Sequence, residues 1–202
     1  MRLLPATLLF LVLTACQPAP PEPVRQTIDD KAYDTLPLSG SDVLLAERRD
    51  PIGTVIERGY VRAGRKHGTW TNYDSETKAP KSVVSYIDGV LNGPYLEFDD
   101  HGRFALVANY RDGQLHGRYG KYRIGRAELN ANYVNGQLDG SMAEYDYRNG
   151  KIKTEASYRM GKKHGPLRHY NEDGQIVLEY LYEDDERVSG GIVEPGTGPA
   201  GQ

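Results

Sequence analysis

The chain of 202 residues has few of the features on which catalysis or nucleic-acid binding usually depends. It has a single cysteine, so an intrachain disulfide is excluded, and its net charge of -3 comes without a basic block. A basic stripe is the electrostatic footprint of a nucleic-acid binder, and we expect no nucleic-acid partner. Hydrophobic residues make up 38% of the chain, below the roughly 45–50% of a typical globular protein. A thick hydrophobic core is therefore not expected.

Long apolar runs are also missing. Arg2 is followed by an apolar stretch at residues 8–13, which is shorter than the about 20 residues of a transmembrane helix. This pattern is typical of an export signal. Residues 13–16, Leu-Thr-Ala-Cys, resemble the lipobox of bacterial lipoproteins, in which cleavage precedes a cysteine that becomes lipid-modified. An ordinary signal peptide with an unrelated free thiol at Cys16 is the alternative.

The lipobox resemblance implies a mature chain that starts at Cys16 and carries a diacylglycerol and an amide-linked acyl chain such as palmitate. Several acyl chains together give stable anchoring where one does not. Gln17 follows the cysteine, whereas an Asp is the usual inner-membrane retention mark in the lipoprotein family. We therefore expect a lipid anchor in the bacterial cell envelope, at the outer membrane, on its periplasmic or surface face.

The residues present in excess are glycine (23) and tyrosine (15), and they form an internal repeat. Each copy has a lead residue, a glycine three positions later, a second glycine four positions beyond it, and an aromatic five beyond that. The leads are Val61, Tyr86, Tyr110, Tyr133 and Tyr158, and a degraded copy begins at Tyr182. A period in the twenties is typical of a stacked repeat architecture.

Apolar and polar residues alternate before each lead tyrosine, which predicts antiparallel strands with one apolar face. The Gly-x3-Gly segment is predicted to be a hairpin turn. Ala108, Ala131 and Ala156 lie two residues before their lead tyrosines and leave room for neighbouring rings. The positions two and five residues past the second glycine cannot share a face in a regular strand, so a bulge or twist is expected there.

The predicted fold is all-β: an elongated antiparallel β-hairpin repeat, a single-layer meander or ribbon of about twelve strands and roughly 55 Å. Residues 1–15 are the signal peptide, 16–41 a lipidated, proline-rich, disordered tether several nanometres long, 42–188 the repeat domain, and 189–202 a disordered tail. Residues 43–46 fit either a first strand or a helical turn.

Segments such as Tyr-Val-Asn-Gly-Gln-Leu-Asp-Gly at 133–140 resemble the MORN repeat in its bacterial variant form. The resemblance covers residues 53–190. It implies an extended antiparallel sheet of hairpins and a role in protein association or membrane-proximal scaffolding. Some bacterial members look like antitoxin or immunity partners. The chain departs from the pattern at Val61, in the long connection 75–82 and at Gly125, so uniform curvature is not implied.

The lead tyrosines form the candidate binding face: Tyr86, Tyr110, Tyr133, Tyr158 and Tyr182. A second aromatic set, on alternate strands, comprises Tyr73, Phe98, Tyr122, Tyr145 and Tyr170. These rings are interpreted as the hydrophobic layer of the fold, as a groove for a protein or glycan partner, or as both. A single-layer sheet leaves an apolar face uncovered, so it must curl, borrow residues 42–52 or accept a partner.

Three histidines precede the second glycine in alternate copies: His67, His116 and His164. Alternate copies lie roughly 19 Å apart, whereas zinc ligands lie about 2 Å from the metal. Asn92 and Asp139 share the position, and His, Asn and Asp are all enriched at positive φ, which indicates a turn-geometry role. No nucleophile elbow or phosphate loop is found, and the carboxylate pairs Asp99/Asp100 and Asp184/Asp185 are assigned to turns and strand ends, where Asp is favoured. We therefore predict no enzyme activity, no metal and no cofactor.

The resulting hypothesis is a non-catalytic, membrane-anchored envelope lipoprotein. It contacts the membrane through the lipid on Cys16, and its β-repeat surface binds another protein. One alternative is an antitoxin- or immunity-like protein that neutralises a toxin. Two others are a glycan-binding envelope protein and an envelope enzyme that acts on glycan.

Overall fold

A computed structural model describes residues 23–194, and every secondary-structure element in this range is a β-strand. Fifteen strands form one antiparallel sheet whose strand order follows chain order. The predicted all-β hairpin meander in a single sheet is therefore confirmed. The predicted signal peptide, Cys16, the first part of the predicted tether and residues 195–202 of the predicted tail lie outside the described residues.

Six hairpins correspond to the repeat copies, preceded by two further strands. The strands are β1 Asp34–Pro37, β2 Val43–Arg49, β3 Val55–Arg62, β4 Arg65–Tyr73, β5 Pro80–Ile87, β6 Val90–Phe98, β7 Phe104–Arg111, β8 Gln114–Leu115, β9 Gly117–Arg123, β10 Arg126–Val134, β11 Gln137–Tyr145, β12 Ile152–Arg159, β13 Lys162–Tyr170, β14 Ile176–Glu183 and β15 Glu186–Ile192. Hairpins 1 to 6 are β3–β4, β5–β6, β7–β9, β10–β11, β12–β13 and β14–β15. Residues 43–46 thus belong to a strand and not to a helical turn.

The hairpin turn is shorter than the Gly-x3-Gly segment that predicts it. In hairpin 2 it consists of Asp88 and Gly89 alone, with φ of 46° and 84°. Two residues at positive φ are the signature of a type I′ turn, whose twist matches that of the flanking strands. The second glycine lies inside the next strand. In hairpin 4 it is Gly140, at φ 101°, beside a register shift in β11. The repeat therefore encodes a two-residue turn followed by a β-bulge.

A further register shift lies between Glu144 and Tyr145, in the interval where the sequence predicts a bulge. These bulges recur in the other hairpins at equivalent places. Because they fall at the same register, successive hairpins keep the same residues on the same face.

One row of directly paired residues crosses the sheet and defines what we call the front face. In hairpins 1 to 5, a large side chain on the second strand alternates with a smaller one on the first strand. The row runs Ala46, Gly59, Trp70, Val84, Tyr95, Ala108, Tyr119, Ala131, Met142, Ala156, Leu167 and Tyr180. The predicted role of the three small alanines is visible here, because Ala108, Ala131 and Ala156 are buried between larger neighbours.

The folded domain begins at residue 23, before the boundary of 42 that the sequence predicts. Residues 23–33, here called the strap, cross the turns of the first hairpins, and β1 then pairs with β2 at the edge of the sheet. At the other end, β15 extends to Ile192, so residues 189–192 of the predicted tail are part of a strand. Residues 23–41 of the predicted tether thus belong to the sheet domain.

Substitution of Gly59 tests the packing of the front-face row. A Cβ added to Gly59 would lie 2.1 Å from the ring of Trp70. We expect Gly59→Ala to lower the free energy of unfolding by about 3 kcal/mol, because the buried ring has to move. Urea denaturation followed by the fluorescence of the single tryptophan measures this. Gly191→Ala is the control, since Gly191 has open space at its Cβ and no positive φ. Equal stability of the two variants would contradict the packing of the row.

Candidate functional site

The strap is bound to the sheet by backbone hydrogen bonds. The amide of Ile28 donates to the carbonyl oxygen of Gly64 (3.1 Å), and the amide of Gln26 donates to that of Gly89 (2.6 Å). In return, the amide of Lys66 donates to the carbonyl oxygen of Gln26 (3.1 Å). A Cβ on Gly113 would lie 2.8 Å from the Cβ of Pro23. The strap therefore runs backwards over hairpins 1, 2 and 3.

The strap also inserts side chains into the front face. Ile28 and Tyr33 pack against the buried cluster of Ala46, Val61 and Trp70. The ring of Tyr33 meets Trp70 edge-on, with 5.7 Å between ring centroids. Hydrophobic contact and an edge-to-face ring pair thus fix the C-terminal half of the strap over hairpin 1.

A buried carboxylate anchors this end of the strap. Glu57 in β3 is only 4% exposed and faces the front, in register with Gly59 and Val61. Its carboxylate accepts hydrogen bonds from the hydroxyl of Tyr33 (2.6 Å), from Nζ of Lys66 (2.5 Å) and from Nε of Arg48 (3.1 Å). Burial of a charge is costly unless it is paired and hydrogen-bonded, and here three donors satisfy it.

These contacts set the ionisation of the cluster. Burial opposes ionisation of Glu57, but the hydrogen bonds from Lys66 and Tyr33 and the charge of Lys66 outweigh it and lower its pKa. Burial and the neighbouring carboxylate of Glu57 raise the pKa of Tyr33 to about 12. At neutral pH the cluster is therefore an ionised glutamate held by two cations and a protonated phenol.

The three histidines have a role other than the predicted one. None of His67, His116 and His164 has a positive φ, so they are not turn residues. Instead Nδ1 of His116 accepts a hydrogen bond from the turn amide of Asn135 in the next hairpin (3.4 Å). His67 Nδ1 and Asp139 Oδ2 likewise accept from the amides of the next turns. Residues at this position thus join hairpins 1, 3 and 4 to their successors.

The lead tyrosines lie in one row on the front face. Each one pairs with the second glycine of the preceding hairpin, as Tyr133 does with Gly117. Ring contacts join the lead tyrosines to the row that runs from Ala46 to Tyr180. The ring centroids are 5.7 Å apart in Tyr95–Tyr110 and 5.7 Å apart in Tyr119–Tyr133. Burial raises the pKa of four of these five phenols: Tyr86, Tyr110, Tyr133 and Tyr158. All five tyrosines are half-buried.

The second aromatic set lies on the opposite face, which we call the back face. The hydroxyl of Tyr145 accepts a hydrogen bond from Asn130 (3.4 Å), and that of Tyr170 donates to Glu155 (2.6 Å). Tyr122 lies over Gly120, where it helps to line an open cleft of about 510 Å³. The expectation of a single apolar face is therefore too simple. The five-residue spacing places the second ring on the other side of the sheet, next to the register shift that precedes it, as between Glu144 and Tyr145.

No family model and no curated protein matches the chain in comparisons with known proteins. Within residues 23–194 there is no helix of the length and hydrophobicity needed to cross a bilayer. In the same range, no group of three or more histidine, cysteine or acidic side chains is placed to hold a metal ion.

The strap and its carboxylate anchor are the parts of the site that the sequence analysis missed. A signal was present, because Glu57 occupies a front-face position in the alternation between Val55 and Val61. A charge at an apolar position of a strand indicates a buried partner. Ile28 and Tyr33 are a second signal, since they are large side chains within a mostly polar, proline-rich stretch.

The hydroxyl of Tyr33 tests how the strap is held. We expect Tyr33→Phe to weaken docking of the strap by about 2 kcal/mol, the value of a hydrogen bond to a charged group. Trypsin should then cut after Arg25 and Lys31 roughly thirtyfold faster under native conditions. Tyr60→Phe is the matched control, because the exposed Tyr60 contributes no such bond. Unchanged cleavage in Tyr33→Phe would show that the bond does not hold the strap.

The contribution of Glu57 to stability should depend on pH. Its pKa is lowered in the folded state, so its stabilising effect is complete above about 4.3, the ordinary glutamate pKa, and is lost as pH falls through the folded-state value. We expect Glu57→Gln to cost about 3 kcal/mol at neutral pH, since two cations lose their partner. That difference from the wild type should shrink on acidification towards pH 3. Urea titrations at several pH values measure it, and a difference independent of pH would contradict the ionised cluster.

Proposed function

We propose that the protein is a non-catalytic, lipid-anchored module of the bacterial cell envelope whose front face binds another protein. The observation that carries the proposal is the uneven covering of this face. The strap covers hairpins 1 and 2 and reaches the turn of hairpin 3. Over the rest of the described sheet, the row of half-buried aromatic and aliphatic side chains continues without a covering segment.

A repetitive apolar surface of this kind is typical of a protein-binding site. Tyr133, Tyr158 and Tyr182 present rings at the regular spacing of the repeat, flanked by Leu138 and Met142. Tyrosine supplies a large apolar area and a hydroxyl donor at little cost in side-chain entropy, and it is enriched at interfaces. The resemblance to the MORN repeat supports a role in protein association.

The position of the strap limits the distance between the proposed lipid anchor and the sheet. Cys16 precedes the start of the strap by seven residues, and a chain of that length spans at most about 25 Å. Lipidation of Cys16 would therefore keep the turn of hairpin 3 close to the membrane surface. The partner proposed here then binds near the membrane, in keeping with the predicted envelope location.

Replacement of the cysteine tests the anchor. We expect Cys16→Ser to move the protein from the membrane fraction to the soluble fraction and to abolish the size shift of lipid processing, because the acylated residue is gone. Fractionation and mass spectrometry measure both effects. A variant that remains in the membrane fraction with normal processing would contradict lipid anchoring.

Crosslinking in intact cells tests the binding surface. A photoreactive residue in place of Tyr158 on the front face should recover a specific protein partner. The same residue in place of Ser141, on the other face of the neighbouring strand, is the matched control. If neither position yields a specific protein, the proposed binding function fails.

A further inference from the structure

The strap shows how an extended chain is recognised by this sheet. Its two donor amides, Gln26 and Ile28, are two residues apart and bond to the turn glycines of consecutive hairpins, Gly89 and Gly64. In an extended chain, groups two residues apart point to the same side. The strap therefore donates hydrogen bonds to a row of turn carbonyls, one from hairpin 2 and one from hairpin 1.

The same row continues beyond the strap. The turn glycines of hairpins 3, 4 and 5 are Gly113, Gly136 and Gly161. Each donates its amide to a carbonyl of the preceding hairpin at 2.8–2.9 Å, as Gly89 does to Lys66 at 2.7 Å. Within residues 23–194, the carbonyl oxygens of these three glycines accept no hydrogen bond. Gly89 is buried under the strap and Gly113 lies against Pro23, whereas Gly136 and Gly161 are exposed.

The side chains beside this row also repeat, with one difference. The position of Lys66, which binds the carboxylate anchor in hairpin 1, is occupied by leucine in hairpins 2, 3 and 4: Leu91, Leu115 and Leu138. Ile28 of the strap packs beside Val61 and Trp70. The equivalent places on hairpins 3 and 4 are lined by leucine, tyrosine and methionine, so they are more apolar than the place that the strap fills.

We propose that the uncovered front-face groove along the turns of hairpins 4 and 5 binds an extended polypeptide segment of the partner protein, in the manner of the strap. The segment donates alternate amides to the carbonyls of Gly136 and Gly161, as Gln26 and Ile28 of the strap do to Gly89 and Gly64. It places bulky apolar side chains beside Leu115 and Leu138. A helical segment does not fit this row, because its amides are already bonded within the helix.

This inference rests on the proposed function only in taking the occupant from a partner protein. It can be tested on the purified full chain in detergent, with a synthetic peptide of residues 23–33 as the probe. A photoreactive leucine replaces Ile28 in the peptide, and mass spectrometry locates the adducts. We expect adducts on the front face of hairpins 4 and 5, since the strap of the chain itself occupies hairpins 1 and 2 and reaches the turn of hairpin 3.

Two variants make the outcome specific. Leu138→Lys should lower the yield of these adducts at least tenfold. Lysine occurs naturally at the equivalent position in hairpins 1 and 5, as Lys66 and Lys163, so the variant is expected to fold. Ser141→Lys, on the back face of the same strand, should leave the yield unchanged. A circular dichroism melt of each variant checks the fold.

Several results would overturn the proposal. Adducts confined to hairpins 1, 2 and 3 would mean that the peptide only exchanges with the strap. Adducts on the back face, no adducts, or equal yields from Leu138→Lys and the wild type would exclude the groove. The same holds if adducts appear only after deletion of residues 17–22, since the chain would then fill the groove itself. A partner still crosslinked in cells would, in each case, leave the proposed function standing and place that partner elsewhere.

Discussion

A sheet of one layer has no second layer to pack against, and the rest of the structure follows from this constraint. Each hairpin must be held by its neighbours through contacts that repeat at the same register. On the front face, a large residue of one strand lies over a small residue of the next, as Tyr119 does over Ala131. At the turns of hairpins 2 to 5, the amide of the turn glycine bonds to the preceding hairpin, as Gly136 does to Leu115. The glycine bulges keep these contacts in phase along the chain.

The strap covers the front face of hairpins 1 and 2 and reaches the turn of hairpin 3, whereas no described segment covers the front face of the later hairpins. It brings apolar side chains, backbone donors and the phenol of Tyr33 to a surface that would otherwise face water. Its anchor at Glu57 is confined to hairpin 1, because leucine replaces Lys66 in the next three hairpins. The same surface therefore has two parts, one covered by the chain and one uncovered in the described structure. The proposed binding function and the proposed occupant both concern the second part.

Much of the fold can be predicted from the repeat, because its signals are local. Turn glycines, alternating strands and the small alanines at 108, 131 and 156 each act within a few residues of the chain. Two features depend on pairing over longer distances and are not predictable from a single copy. The second glycine forms a bulge only because the two-residue turn is already complete, and His116 bonds to Asn135 of the next hairpin. Docking of the strap joins residues more than sixty positions apart, as Gln26 and Gly89 show.

Hydrogen exchange of the purified protein, measured amide by amide by NMR, tests most directly whether the strap is part of the sheet domain and divides the front face into a covered and an uncovered part. The account predicts that the amides of Gln26, Ile28 and Lys66 exchange as slowly as amides in the central strands of hairpins 1 and 2, since all three are bonded across the strap. If Gln26 and Ile28 exchanged at the rate of an unfolded peptide, the strap would not cover these hairpins. Hairpins 1 and 2 would then be as uncovered as the later hairpins, which would contradict the division of the front face into a covered and an uncovered part.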